Sequence, residues 1–203
     1  MTWTIVPVGD PSLAPSTDLS VAIAHLEAAS VSPGEPEAHR RDVAAFAAEH
    51  QDAALRSNLV GHLTGSALVV DAAGERTLLM LHRKLGRWFQ PGGHADGDAN
   101  LAAVALREAS EETGLQGLRV VLPAIDVDVH RVEPPTEAPH LHLDARFVVL
   151  APPGAHEQGN EESLALRWVD EAGLDELDPP VDPGTRRLVV RGLEVAREVL
   201  GRC

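Results

Sequence analysis

The chain has 203 residues, 44% hydrophobic and 24% charged, enough for one domain with a full core plus additions and too few for two ordinary domains. A formal net charge of −14 argues against binding a nucleic-acid polymer, which takes a concentrated basic surface; Lys84 is the only lysine among 17 basic residues. The single cysteine, Cys203, excludes an intrachain disulfide and a cysteine-based zinc site, and fits a reducing, cytoplasmic setting.

The opening residues TWTIVPVGDPS lack a basic start and a long apolar run, and no window holds eighteen consecutive apolar residues, so neither secretion nor a membrane span is expected. Residues 18–30 carry apolar side chains at helical spacing behind Ser16, Thr17 and Asp18 as N-cap candidates. VSPGEP interrupts that helix, and a second one is expected over EAHRRDVAAFAAEH. From Leu59 the pattern changes to strands, LVGHLTGSALVVD and TLLMLHRK, joined by the turn AAGER. A helix over about residues 99–113 follows. Then come LRVVLPAIDVDVHRV, the Pro-rich break EPPTEAPH and the strand-like LHLDARFVVLAPPG, which together suggest a second hairpin. SLALRWVD reads as a short strand, EAGLDEL as a helical turn, and a closing helix is expected to start near Pro183. Helices alternating with strands in this way predict a mixed sheet covered on both faces, an α/β or α+β sandwich. With aromatics at 3% and no tyrosine, its core has to rest on Leu, Val and Ala.

The segment PGGHADGDANLAAVALREASEETGL, residues 91–115, concentrates the chemistry. At about 100° per residue, Glu111 and Glu112 fall roughly 60° and 40° to either side of Glu108, so three carboxylates share a face with Leu101, Val104 and Ala105. A helix this apolar is expected to be covered, which leaves the carboxylates at the edge of a packed interior where their repulsion is poorly screened. A hard divalent cation with oxygen ligands answers that repulsion, and Arg107 is a second neutraliser. A solvated acidic helix end is the competing reading.

This stretch resembles the Nudix box: Gly93, Arg107, Glu108, Ala109, Glu111, Glu112, Gly114 and Leu115 stand at the family's spacing, while Ala99 replaces the first glutamate of the pattern. The resemblance implies a Nudix-like α/β/α sandwich over residues 59–203, with residues 1–58 as an N-terminal helical extension outside it. It further implies a Mg²⁺- or Mn²⁺-dependent hydrolase that cleaves the phosphoanhydride of a nucleoside diphosphate linked to another group. Glu108, Glu111 and Glu112 would then hold the metal, completed by a backbone carbonyl near Gly93 or His94. Arg107 would orient the carboxylates, with Asp96 or Asp98 as shorter stand-ins for the partner that Ala99 removes. A Nudix-like binding or regulatory module with little hydrolysis is the alternative.

Other candidates keep two readings each. Arg83, Lys84 and Arg87 could meet substrate phosphate or simply face solvent. His140 and His142 share one strand face with Asp144 and could line a substrate cleft or an exposed sheet face. Glu162 follows a loop in which the family often carries a further acid. Gly92 and Gly93 are expected to permit a positive φ or close approach to phosphate, or to form an ordinary turn. Trp88 and Phe89 are expected to pack. A small nucleotide-type substrate is the expected partner, and the N-terminal helices leave a homodimer open.

Overall fold

The computed structural model describes residues 2–133 and 138–201; residues 134–137 of the Pro-rich break and Cys203 lie outside the described residues. In chain order the elements are β1 (Thr4–Pro7), a 3-10 turn (Pro11–Leu13), α1 (Leu19–Ala28), α2 (Glu35–Glu49), β2 (Gly61–Val70), β3 (Thr77–His82), β4 (Trp88–Phe89), β5 (Gly92–His94), α3 (Leu101–Thr113), β6 (Arg119–Leu122), β7 (Asp126–Val132), β8 (His140–Leu150), β9 (Ser163–Val169), a second 3-10 turn (Ala172–Glu176) and α4 (Pro183–Val199).

Parallel strands β2 and β8 form the centre of the sheet, in register from Gly61 opposite Leu141 to Val70 opposite Leu150. On the far edge of β8, β7 and then β6 pair antiparallel, and β1 extends β6. On the far edge of β2, β5 and β3 pair antiparallel, and β3 in turn carries β4 and β9. The β2–β3 and β7–β8 pairs are the two hairpins read from the sequence.

Strand alternation sorts the side chains into two cores. Leu63, Ala67 and Val69 of β2 join Leu143, Ala145, Phe147 and Val149 of β8 beneath Leu101, Ala102, Ala105 and Ala109 of α3, with Ala22, Leu26 and Val43 of α1 and α2 in the same cluster. Leu68, Val70, Val148 and Leu150 point the other way, onto Leu188, Val189, Leu193 and Ala196 of α4. The result is the expected α/β/α sandwich, and its core is indeed Leu, Val and Ala, with Phe147 its largest fully buried side chain.

Nearer the start of β2 and β8, the α4-side face turns polar: His62, Thr64 and Ser66 lie beside His142, Asp144 and Arg146. Arg146 is 5% exposed and meets Asp144, Asp126 and Asp128 at 2.8, 3.2 and 2.9 Å. Arg187 of α4 reaches the same Asp126 and Asp128 at 3.2 Å. These ion pairs fasten α4 and β7 to the central strand.

Candidate functional site

Helix α3 starts where the Asn100 side chain accepts from the Ala103 N–H, and it ends at Gly114, whose φ of 66° gives a left-handed cap. Eight of its thirteen residues are buried, in keeping with its apolar wheel. Its last turns face β5. Gly92 and Gly93 lie within that strand, so neither the positive φ nor the ordinary turn among the readings of them is found. What requires glycine is proximity: a Cβ on Gly93 would sit 2.5 Å from the Glu108 carboxyl carbon. The Gly92 N–H donates to Glu112 Oε2 at 3.0 Å, which aims that carboxylate at the same strand.

Glu112 is only 6% exposed, Glu108 is half-buried and Glu111 is exposed. Burial pushes the Glu112 carboxyl up to about 8; Glu108, Glu162 and Glu111 add to the rise, and the Gly92 N–H opposes it. Burial also raises Glu108, against the pull of Arg107. Three acids thus act on one buried carboxylate, and a cation there would offset that repulsion. The donor set, carboxylate oxygens around a glycine strand, fits a hard divalent ion.

Arg107 donates from Nη2 to Glu108 Oε1 at 2.9 Å and to the His94 carbonyl at 3.2 Å. Neither proposed stand-in for the missing glutamate hydrogen-bonds to it. Asp96 is paired with Arg56 at 2.6 Å, and Asp98 accepts from the Ser16 and Asn100 N–H groups at 3.0 and 2.9 Å. Ala99 is fully buried, its N–H donating to the Ser16 carbonyl at 2.6 Å. The Asn100 amide adds bonds to the carbonyls of Ser12 and Ala14 at 2.9 and 3.1 Å. Where the box pattern has a charged residue, the N-terminal segment therefore lies across the loop and holds it.

Arg83, Lys84 and Arg87 are all exposed after β3. Arg83 spends donors on the carbonyls of Glu161 and Ser163 at 2.8 and 3.0 Å, which ties the loop before β9 to β3. That loop also meets the end of α3, with the Gln158 N–H on the Thr113 carbonyl at 2.7 Å, so exposed Glu162 lies within the field of Glu112. Trp88 is buried and its Nε1 donates to the Asp178 carbonyl at 3.2 Å, a packing role.

His140 and His142 do share a face, and it is an interior one. They stand with His62 of β2, which the sequence did not single out, and His94 of β5, which it named only for its backbone carbonyl. Strand register joins them: His62 opposes His142, and Thr64 opposes His94. Burial holds His94 down at about 4 and His142 at about 2, and the neighbouring imidazoles reinforce both, so these rings are neutral at physiological pH.

No curated protein sequence matches the chain. The fold is shared with solved structures. A Nudix-family hydrolase from Clostridium perfringens aligns with a TM-score of 0.52 at 20% identity, over 66% of this chain and 97% of that one. An Ap4A hydrolase binary complex from C. elegans gives 0.53 at 14%, over 68% and 98%. The dihydroneopterin triphosphate pyrophosphohydrolase of E. coli gives 0.52 at 15%, over 66% and 95%. The family model described as NUDIX domain matches residues 62–191, which include the whole carboxylate site and most of the sheet. The chain belongs to the Nudix family.

Proposed function

We propose that this Nudix pyrophosphohydrolase cleaves the phosphoanhydride bond of a nucleoside diphosphate linked to a second group, with Mg²⁺ or Mn²⁺ held by Glu108, Glu111, Glu112 and a carbonyl of the Gly93 segment. The observation that carries the reading is the buried Glu112, raised to about 8 and surrounded by further acids at the glycine strand. The ion, when bound, offsets charge on the pyrophosphate and lowers the pKa of a bound water.

The chain's own residues prepare that site. The Gly92 N–H fixes the direction of Glu112, and Arg107 holds Glu108 while bonding the His94 carbonyl, so helix and strand keep one spacing. Gly93 leaves room for Glu108. The exposed Lys84 and Arg87 supply positive charge for an anionic substrate in a chain that is otherwise acidic. In this reading Arg83, which ties the loop before β9 to β3, and Glu162, whose charge acts on Glu112, belong to the substrate site. Neighbouring folds that act on Ap4A and dihydroneopterin triphosphate agree with a small nucleotide-type substrate. Residues 1–58 are in this reading an extension built onto the hydrolase domain.

The test is a panel of nucleoside diphosphate derivatives incubated with Mg²⁺ or Mn²⁺, with and without chelator, followed by detection of phosphate-containing products. Metal-dependent release is expected from at least one class, and absence of hydrolysis across the panel would overturn the proposal. Ala99 motivates the second reading, a nucleotide-binding module. Tight binding without turnover in the same panel would establish that reading instead.

A further inference from the structure

We propose that His62, His94, His140 and His142 form a four-imidazole site for a divalent transition ion of the zinc class, separate from the carboxylate site on α3. One nitrogen from each ring lies within 4.8 Å of the others, and His94 Nε2 and His142 Nε2 are 3.2 Å apart. Ligands about 2.0–2.1 Å from a tetrahedral zinc stand about 3.3–3.4 Å from one another, so that pair already has the spacing of a tetrahedron's edge. The ring centroids of His62 lie 4.8, 4.7 and 5.2 Å from those of His94, His140 and His142, and His142 lies 4.8 and 5.3 Å from His94 and His140.

Hydrogen bonding leaves the cluster incomplete without an ion. His140 Nδ1 donates to the Ala138 carbonyl at 2.8 Å, which fixes the tautomer and leaves Nε2 as a bare lone pair. Among the described residues, that Nε2 is buried without a hydrogen-bond partner, and neither ring nitrogen of His62 makes a hydrogen bond of good geometry, its one backbone neighbour of note being Asn58. His62 is 2% and His140 7% exposed, so bulk solvent reaches them little. Imidazoles packed on one another offer each other few donors, and burying polar nitrogens unpaired is costly. Imidazole nitrogen selects zinc, nickel, cobalt or copper over magnesium, whereas the carboxylates of α3 have the opposite preference.

The fold also supplies rigidity and access. The ligands come from three paired strands, two of them from the HLH alternation of β8, and a cavity of about 380 Å³ lined by Arg56, Ser57, Asn58, Leu59, Ala138 and His140 opens beside them. Closed by four protein ligands, the ion would be structural, clamping β5 to β2 and β8 and so holding the Gly93 segment against Glu108.

The site does not depend on the hydrolase reading, and its test uses no substrate. Untagged full-length protein, stripped with chelator, is titrated with Co²⁺. The expected result is the intense visible absorption of four-coordinate cobalt saturating at about one equivalent, displaced by Zn²⁺ and unaffected by excess Mg²⁺. The His62→Ala/His142→Ala double variant should bind at least about 100-fold more weakly, more than the usual loss from a supporting residue. Glu112→Gln should keep the spectrum. A weak six-coordinate spectrum, no saturation, or loss of the signal in Glu112→Gln would overturn the proposal. Should the double variant fail to fold, paramagnetically shifted imidazole N–H resonances of the cobalt-loaded wild type decide: four support the site and three or fewer refute it.

Discussion

Glu112 is where sequence spacing and structural environment agree most closely. Replacing it with Gln keeps its size and the bond from the Gly92 N–H but removes a charge that the proposed metal needs. Turnover is expected to fall by more than about 100-fold with the fold intact, since even residues that merely support a ligand cost 10- to 100-fold; kcat beside a circular-dichroism spectrum measures this. The same residue gives metal-free protein a pH signature. Its carboxyl, ordinarily at 4.5, is pushed up to about 8 in the folded state, so the native chain keeps a proton that the unfolded chain releases. That contribution is complete below pH 4.5 and is lost as pH rises toward 8. Melting temperatures of chelated wild type should therefore decline across this window, and those of Glu112→Gln should decline less; equal slopes would mean an ionised Glu112. The Nudix box made Glu108, Glu112 and Gly93 legible in the sequence because their spacing is local. It gave no hint of how Arg107 is partnered, since Asp96 and Asp98 are claimed by Arg56 and Ser16 from distant segments.

At the level of elements, the long periodic pieces could be read and the short or register-dependent ones could not. Helix α3, helix α4 and strands β2 and β8 carry enough repeats to declare themselves. Strand β1 has only four residues, TIVP, and owes its existence to β6. Strand β5 reads as a turn because it opens on two glycines directly after Pro91, yet pairing with β2 makes it extended. The histidine cluster was half visible, as His140 and His142, because its other half arrives through pairing of strands far apart in sequence. The same is true of Arg146, which links β8 to β7 and, through shared carboxylates, to α4. Arg146→Leu strands Asp126, Asp128 and Asp144 in a buried setting and is expected to cost about 3–5 kcal/mol, as for other buried pairs broken on one side. Guanidinium unfolding provides the check, and a loss under about 1 kcal/mol would show that the network does not hold α4.

For the whole molecule, the segment before the family-matching region is tied in at the candidate site. Ser12, Ala14 and Ser16 bond residues 98–100, and β1 covers the edge of β6. Deleting residues 2–17 is expected to lower the melting temperature and to weaken Mg²⁺ binding, because the loop leading into α3 loses its anchor and an edge strand is uncovered. Thermal melts and Mg²⁺ titration of the truncated chain would show this, and unchanged values in both would reduce the segment to decoration. The anchoring also constrains the order of assembly. Residues 4–16 are synthesised well before either of their docking surfaces, and those surfaces are themselves organised by the parallel union of β2 with β8, which waits for residue 150. Docking of this segment thus belongs to the late, non-local part of folding. A freshly made chain would carry its box helix with the entry loop still loose, and the geometry around Gly93 would become exact only when residues 4–16 return to close it.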